Sequence, residues 1–94
     1  MFGIPMIGDD ICGFFGNTTE ILCARWIQLS SLYPFTRNHN HKEFADHQFH
    51  NLGPLIAKLA RKAFKFRYSI LKYYYSIFLE KVKKLTREKK CLFL

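Results

Sequence analysis

The chain has 94 residues, of which 49% are apolar and 17% are Phe, Tyr or Trp, and its formal charge is +8. That length makes at most one small domain with a marginal core, so this much hydrophobic surface points to a segment of a larger body. The charge is lopsided: residues 1–54 carry three Lys or Arg against five acids, residues 55–94 twelve against two. A basic half can attract nucleic acid or an anionic membrane, but it more often marks the wet face of a helix. The most apolar later run, Tyr68 to Leu79, is far shorter than the roughly 20 residues of a membrane span, and Lys72 interrupts it. The start lacks basic residues and carries Asp9 and Asp10, so no targeting segment is visible and the chain reads as cytoplasmic as written. Three cysteines, Cys12, Cys23 and Cys91, settle no compartment by count alone.

Residues 3–11 read as a short buried strand punctuated by glycine. Gly13, Gly16 and Asn17 supply a loop, and Asn17 with Glu20 three residues on has the form of a helix start. The helix is predicted from about Thr18 to Ser31, with an apolar stripe of Leu22, Trp26 and Leu29, and it ends at the approach to Pro34. Leu32 to Thr36 is a second strand-like run, and the polar stretch from Arg37 to Asn51 holds all four histidines. Pro54 suits the first turn of a helix. Beyond it Ile56, Leu59, Ala63, Phe66, Ile70, Tyr73 and Ile77 recur every three or four residues with no glycine or proline between them. Strand, helix, strand, helix is the order of an α/β fold with parallel strands. Two such strands alone make no stable sheet.

Four pieces in register carry a sharper signal. They are Asp10-Ile-Cys-Gly-Phe14, Gly16-Asn-Thr-Thr-Glu20, Leu22-Cys-Ala-Arg-Trp26 and Tyr33-Pro-Phe-Thr-Arg-Asn-His-Asn40. Together they resemble the lysosomal and intestinal branch of the glycoside hydrolase family 31 α-glucosidases. The likeness is nearly continuous from Phe2 to Asn40 and looser over Asn51 to Leu79. It implies that residues 1–79 are the C-terminal portion of a (β/α)8 TIM barrel, with strands seven and eight at residues 3–11 and 32–36. The last element would be a long amphipathic helix over roughly 54–79. Residues 80–94 lack the likeness and read as a basic tail. Lys72 stands where many members have proline, so that helix should run straighter here.

In such barrels the site lies at the C-terminal ends of the strands, where this placement sets Asp10 and Arg37 to His39. An ionised Asp accepts from sugar hydroxyls, and a His can donate or accept. The resemblance implies substrate-binding roles for Asp10, Phe14 and His39, and an orienting role for Arg37, whose planar fork suits carboxylates. It also implies a disulfide between Cys12 and Cys23, which would stabilise the chain by about 2–3 kcal/mol, and a secretory or lysosomal parent protein. The implied partner is an α-glucoside oligosaccharide, with no cofactor and no metal. A retaining glycosidase needs two carboxyl groups about 5–5.5 Å apart. The resemblance implies that both come from earlier strands with no counterpart here. Asp9 and Asp10 point to opposite faces of a strand and cannot be that pair, so no catalytic residue is expected in this chain, which is expected to be inactive and to self-associate.

Two other classes compete. A small basic protein could bind nucleic acid or anionic membrane through residues 58–90, with Tyr73 to Tyr75 stacking on bases, but it lacks a nucleic-acid motif. A metal site could be assembled from His39, His41, His47, His50 and a cysteine, but no Cys-x-x-Cys pair accompanies them. The family reading therefore carries an expectation of no nucleic-acid partner and no membrane span.

Overall fold

Asp10–Ile11 forms β1 and Arg37–Asn38 forms β2, and the two pair in parallel with Asp10 opposite Arg37 and Ile11 opposite Asn38. Helix α1, Glu20–Ser30, crosses between them, and α2, Pro54–Leu92, follows β2. The computed structural model describes residues 5–92, with side chains through Arg87. Residues 3 and 4 of the expected first strand, residues 1–4 of the likeness and residues 93–94 of the tail lie outside these.

The β-α-β-α order holds, but both strands are shorter than expected. The first is regular only at Asp10–Ile11, and the second forms at Arg37–Asn38 rather than over 32–36. Pro34 cannot donate to a ladder, and residues 31–35 are occupied by the turn that ends α1. Leu32 N–H donates to Leu29 O at 3.2 Å, and Tyr33 N–H to Ser30 O at 3.1 Å. The two runs still approach closely upstream of the ladder. Phe35 N–H donates to Ile7 O at 3.1 Å, and a Cβ at Gly8 would overlap the Phe35 carbonyl.

Helix α1 is capped by Thr19, not Asn17: the Thr19 hydroxyl accepts from Leu22 N–H at 3.3 Å. Asn17 is engaged elsewhere, its Oδ1 accepting from Ala45 N–H at 2.9 Å. The buried stripe is also rotated by one residue from the expected Leu22, Trp26 and Leu29. Cys23, Ile27 and Ser30 face inward, while Leu22 and Leu29 are about half exposed and Trp26 packs at the margin. A disulfide joining Cys12 to Cys23 pins this face toward β1, which explains the rotation. With Ile11, Ile56 and Ala60, these residues form a small core flanked by Phe49, Leu52, Leu59, Ala63 and Phe64.

Helix α2 packs Ile56, Ala60 and Ala63 on this core and continues past the expected end at residue 79 to Leu92. Glu, Lys, Arg and Leu dominate residues 79–92 and contain no breaker, so the helix has no reason to stop. Phe66 and Tyr73, placed on the apolar stripe by spacing, are instead exposed. The face toward α1 carries Arg67 and Tyr74. The Arg67 guanidinium donates to the carbonyls of Ser31, Tyr33 and Pro34, at 3.5 Å for Ser31 and 3.1 Å for Pro34. Tyr74 Oη donates to Leu32 O at 2.6 Å. These two side chains satisfy carbonyls of the turn that follows α1. The 39 residues of α2, rising about 1.5 Å each, account for the 59 Å long dimension of the molecule.

Candidate functional site

Parallel pairing brings the C-terminal ends of β1 and β2 to one edge, and the loops after them meet there. Asp10 and Arg37 are direct partners in the strand register, and Arg37 Nη2 donates to Asp10 Oδ1 at 3.4 Å. The Asp10 side chain is about a quarter exposed and that of Arg37 more than half. Such an exposed pair adds little to stability. Its consequence is positional, since it fixes which way the Asp10 carboxylate faces.

Sequence dictates how the first loop turns. Gly13 N–H donates to Asp10 O at 3.1 Å, closing a turn in which Cys12 and Gly13 both have positive φ, 73° and 91°. Gly13 adopts this freely. Cys12 is disfavoured there but is buried and tied to Cys23. The turn carries Phe14 across toward the second loop, where its ring lies 5.2 Å from that of His39 between centroids. His41 N–H donates to Phe14 O at 3.0 Å, and the His41 ring stacks on Phe15 at 5.6 Å. Asn40 Nδ2 reaches Ala45 O at 2.9 Å, so the second loop is braced internally as well.

The three residues expected to contact sugar, Asp10, Phe14 and His39, and the expected orienting residue Arg37 therefore belong to the two loop-bearing strand ends: Asp10 and Arg37 as a pair, Phe14 and His39 as a ring contact. The rim presents a carboxylate acceptor, a guanidinium donor, an imidazole and an aromatic wall. That set can take a neutral polyol, with hydroxyls on the polar groups and ring C–H bonds on Phe14.

Beside the rim lies a cavity of about 330 Å³ lined by Asn38, His39, Asn40, Asp46, His47, Gln48, Phe49 and His50. Asn38 stood inside the Tyr33–Asn40 run and His47 among the histidines of the metal alternative, but nothing in the sequence pointed to their contact. Asn38 Nδ2 donates to His47 O at 3.2 Å, while Asn38 Oδ1 and His47 Nε2 are buried without a protein partner. Arg67 was likewise missed, because its acceptors lie 33 to 36 residues away. Among the described residues, no three His, Cys, Asp or Glu side chains converge to hold a metal ion, so the four histidines do not assemble the metal site their spacing allowed.

Comparison with known proteins supplies the context. Residues 1–77 match the TIM-barrel domain of glycosyl hydrolases family 31. An alpha-glucosidase of Hordeum vulgare is 51% identical over 80 residues, which are 85% of this chain and 9% of that protein. A lysosomal alpha-glucosidase of Rattus norvegicus is 46% identical over 78 residues, 83% of this chain and 8% of its own length. The crystal structure of a glucosidase II alpha subunit superimposes with a TM-score of 0.70 at 36% identity, over 78% of this chain and 8% of that one. The chain thus spans less than a tenth of each of these relatives.

Proposed function

The chain belongs to glycosyl hydrolase family 31, and from that membership we propose that it is the sugar-contacting end of a retaining α-glucosidase barrel. In this reading β1 and β2 are the seventh and eighth strands of a (β/α)8 barrel, and α1 and α2 are the helices that follow them. Asp10 accepts hydrogen bonds from hydroxyls of the glucose whose bond is cleaved. His39 contacts the same sugar, Phe14 walls it, and Arg37 orients the carboxylate. The substrate is an oligosaccharide with a terminal α-linked glucose.

The observation that carries the reading is the Arg37–Asp10 contact across the parallel ladder, at the strand ends where barrel enzymes build their sites. An arginine fork facing a carboxylate one strand away holds an acceptor ready for a hydroxyl without a reorganisation cost. Family membership implies that the nucleophile and the general acid/base come from earlier strands of the barrel, outside these residues. Asp9 and Asp10 are consecutive around the start of β1, so one backbone position cannot offer both to one substrate. The 94-residue chain is therefore the binding part of a site whose bond-breaking groups come from other strands.

Compartment follows from the same reading. A disulfide between Cys12 and Cys23 forms and persists under oxidising conditions, and relatives are named as lysosomal and endoplasmic-reticulum enzymes. A secretory or lysosomal protein fits these features, and they offer no support for the cytoplasmic placement suggested by the first residues.

The test has two arms. The 94-residue chain should hydrolyse neither maltose nor a chromogenic α-glucoside. In a complete family 31 barrel carrying these residues, Asp10→Asn and His39→Ala should each lower kcat/KM about ten- to hundredfold. That is the equivalent of about 1.5–3 kcal/mol of lost charged hydrogen bonding. Thermal stability should stay near that of the parent. Full activity in both variants would remove the assigned roles.

A further inference from the structure

Past Ser76, α2 runs on for about four more turns, beyond the stretch that matches the family, which ends at residue 77. Family membership assigns this segment no task. Ile77, Phe78, Val82 and Leu85 recur at helical spacing and continue the stripe that Ile56, Ala60 and Ala63 bury on the core. The far end of that stripe is open, with Val82 59% exposed and Leu85 58%, whereas Ile77 and Phe78 are half-buried. Hydrogen bonds beyond Tyr74 among the described residues stay inside the helix, from Ser76 Oγ to Lys72 O and from Thr86 Oγ1 to Val82 O.

The same segment is strongly basic. Residues 80–90 contain six Lys or Arg against Glu80 and Glu88. By helical periodicity Lys83, Lys84 and Arg87 fall on the side away from Phe78, Val82 and Leu85, and all three are exposed. Lys81 sits among the apolar positions, where its stem can lie flat while its ammonium reaches outward. Tyr73 and Tyr75, both about two-thirds exposed, stand about one to two turns before this stretch. The helix is too polar to cross a membrane.

An apolar stripe bordered by lysines and tyrosines on a helix of low mean hydropathy suits the boundary between headgroups and acyl chains. We propose that residues 73–87 of α2 dock on an anionic lipid surface, with Val82 and Leu85 inserted and Lys81, Lys83, Lys84 and Arg87 on the headgroups. Charge selects this occupant, since six cations against two acids over residues 80–90 complement an anionic surface. The stripe selects it over nucleic acid, which would engage the cations and leave Val82 and Leu85 in water.

Flotation with lipid vesicles tests the proposal, because aggregated chain stays at the bottom of the gradient and bound chain rises. The 94-residue chain should float with vesicles of mixed phosphatidylcholine and phosphatidylserine, and not with phosphatidylcholine alone, and high salt should release it. Replacing Lys83, Lys84 and Arg87 together by Gln should weaken binding roughly a hundredfold, since each cation near the surface contributes about a fivefold factor. Val82→Ser with Leu85→Ser should also release the chain, and Lys83→Arg should bind as the parent does. Circular dichroism of each variant should keep the parent's helical signal. Equal flotation with neutral vesicles, no flotation at all, or retention by a DNA duplex without flotation would each overturn the proposal.

Discussion

At Gly8 a single atom decides whether the segments leading into β1 and β2 can meet. A side chain there would collide with backbone, the carbonyl of Phe35, which has no rotamer by which to retreat. Gly8→Ala in a complete barrel carrying these residues should therefore cost about 1–3 kcal/mol, as overpacking does elsewhere. A lower melting temperature with the fold retained is the expected result, and an unchanged one would mean that the 7–8 and 34–35 segments are not in register. Asp10 and Arg37 show the opposite case. Their contact is exposed and adds little to stability, so its value lies in direction. Both residues were legible in the sequence, because a carboxylate and a guanidinium one β/α unit apart stood inside long recognisable runs. The burial of Asn38 Oδ1 and His47 Nε2 was not, since it depends on how the segment between them closes.

At the scale of elements, order was readable and limits were not. The breaker-free periodicity after Pro54 identified α2, and the prolines and glycines marked the turns. The face that α1 buries could not be read from Leu22, Trp26 and Leu29, because hydrophobicity alone does not distinguish a side buried in this chain from a side left for another neighbour. The Cys12–Cys23 link makes that choice. Strand length failed for a local reason: residues 31–35 are taken up by the turn that ends α1, and Pro34 cannot donate to a ladder. The junction between α1 and α2 rests on Arg67, whose fork reaches three carbonyls of the turn after α1. Arg67→Ala in a complete barrel should cost about 1.5–3 kcal/mol. Arg67→Lys should recover little of it, because an ammonium cannot span the same acceptors. Denaturant midpoints read this directly, and equal stability of parent and lysine variant would show that charge alone suffices.

The whole molecule presents more apolar surface than two β/α units can cover. Met6, Ile7, Leu22, Leu29 and Leu32 are each about half exposed or more, and the two-stranded ladder has open edges. Open edges pair with other chains and exposed apolar area drives association. The small core, anchored by Ile11, Ile27 and Ile56 with the disulfide beside it, sits under one end of a helix that extends far beyond it. A link within one β/α unit supplies no missing neighbour, and most helical stability comes from packing. Residues that span less than a tenth of their relatives should therefore behave as part of a barrel and not as a domain. Circular dichroism through a thermal melt of the oxidised 94-residue chain, read with sedimentation velocity, puts this most directly. The account predicts a helical spectrum, a broad non-cooperative melt and self-association; a sharp two-state transition from a soluble monomer would contradict it.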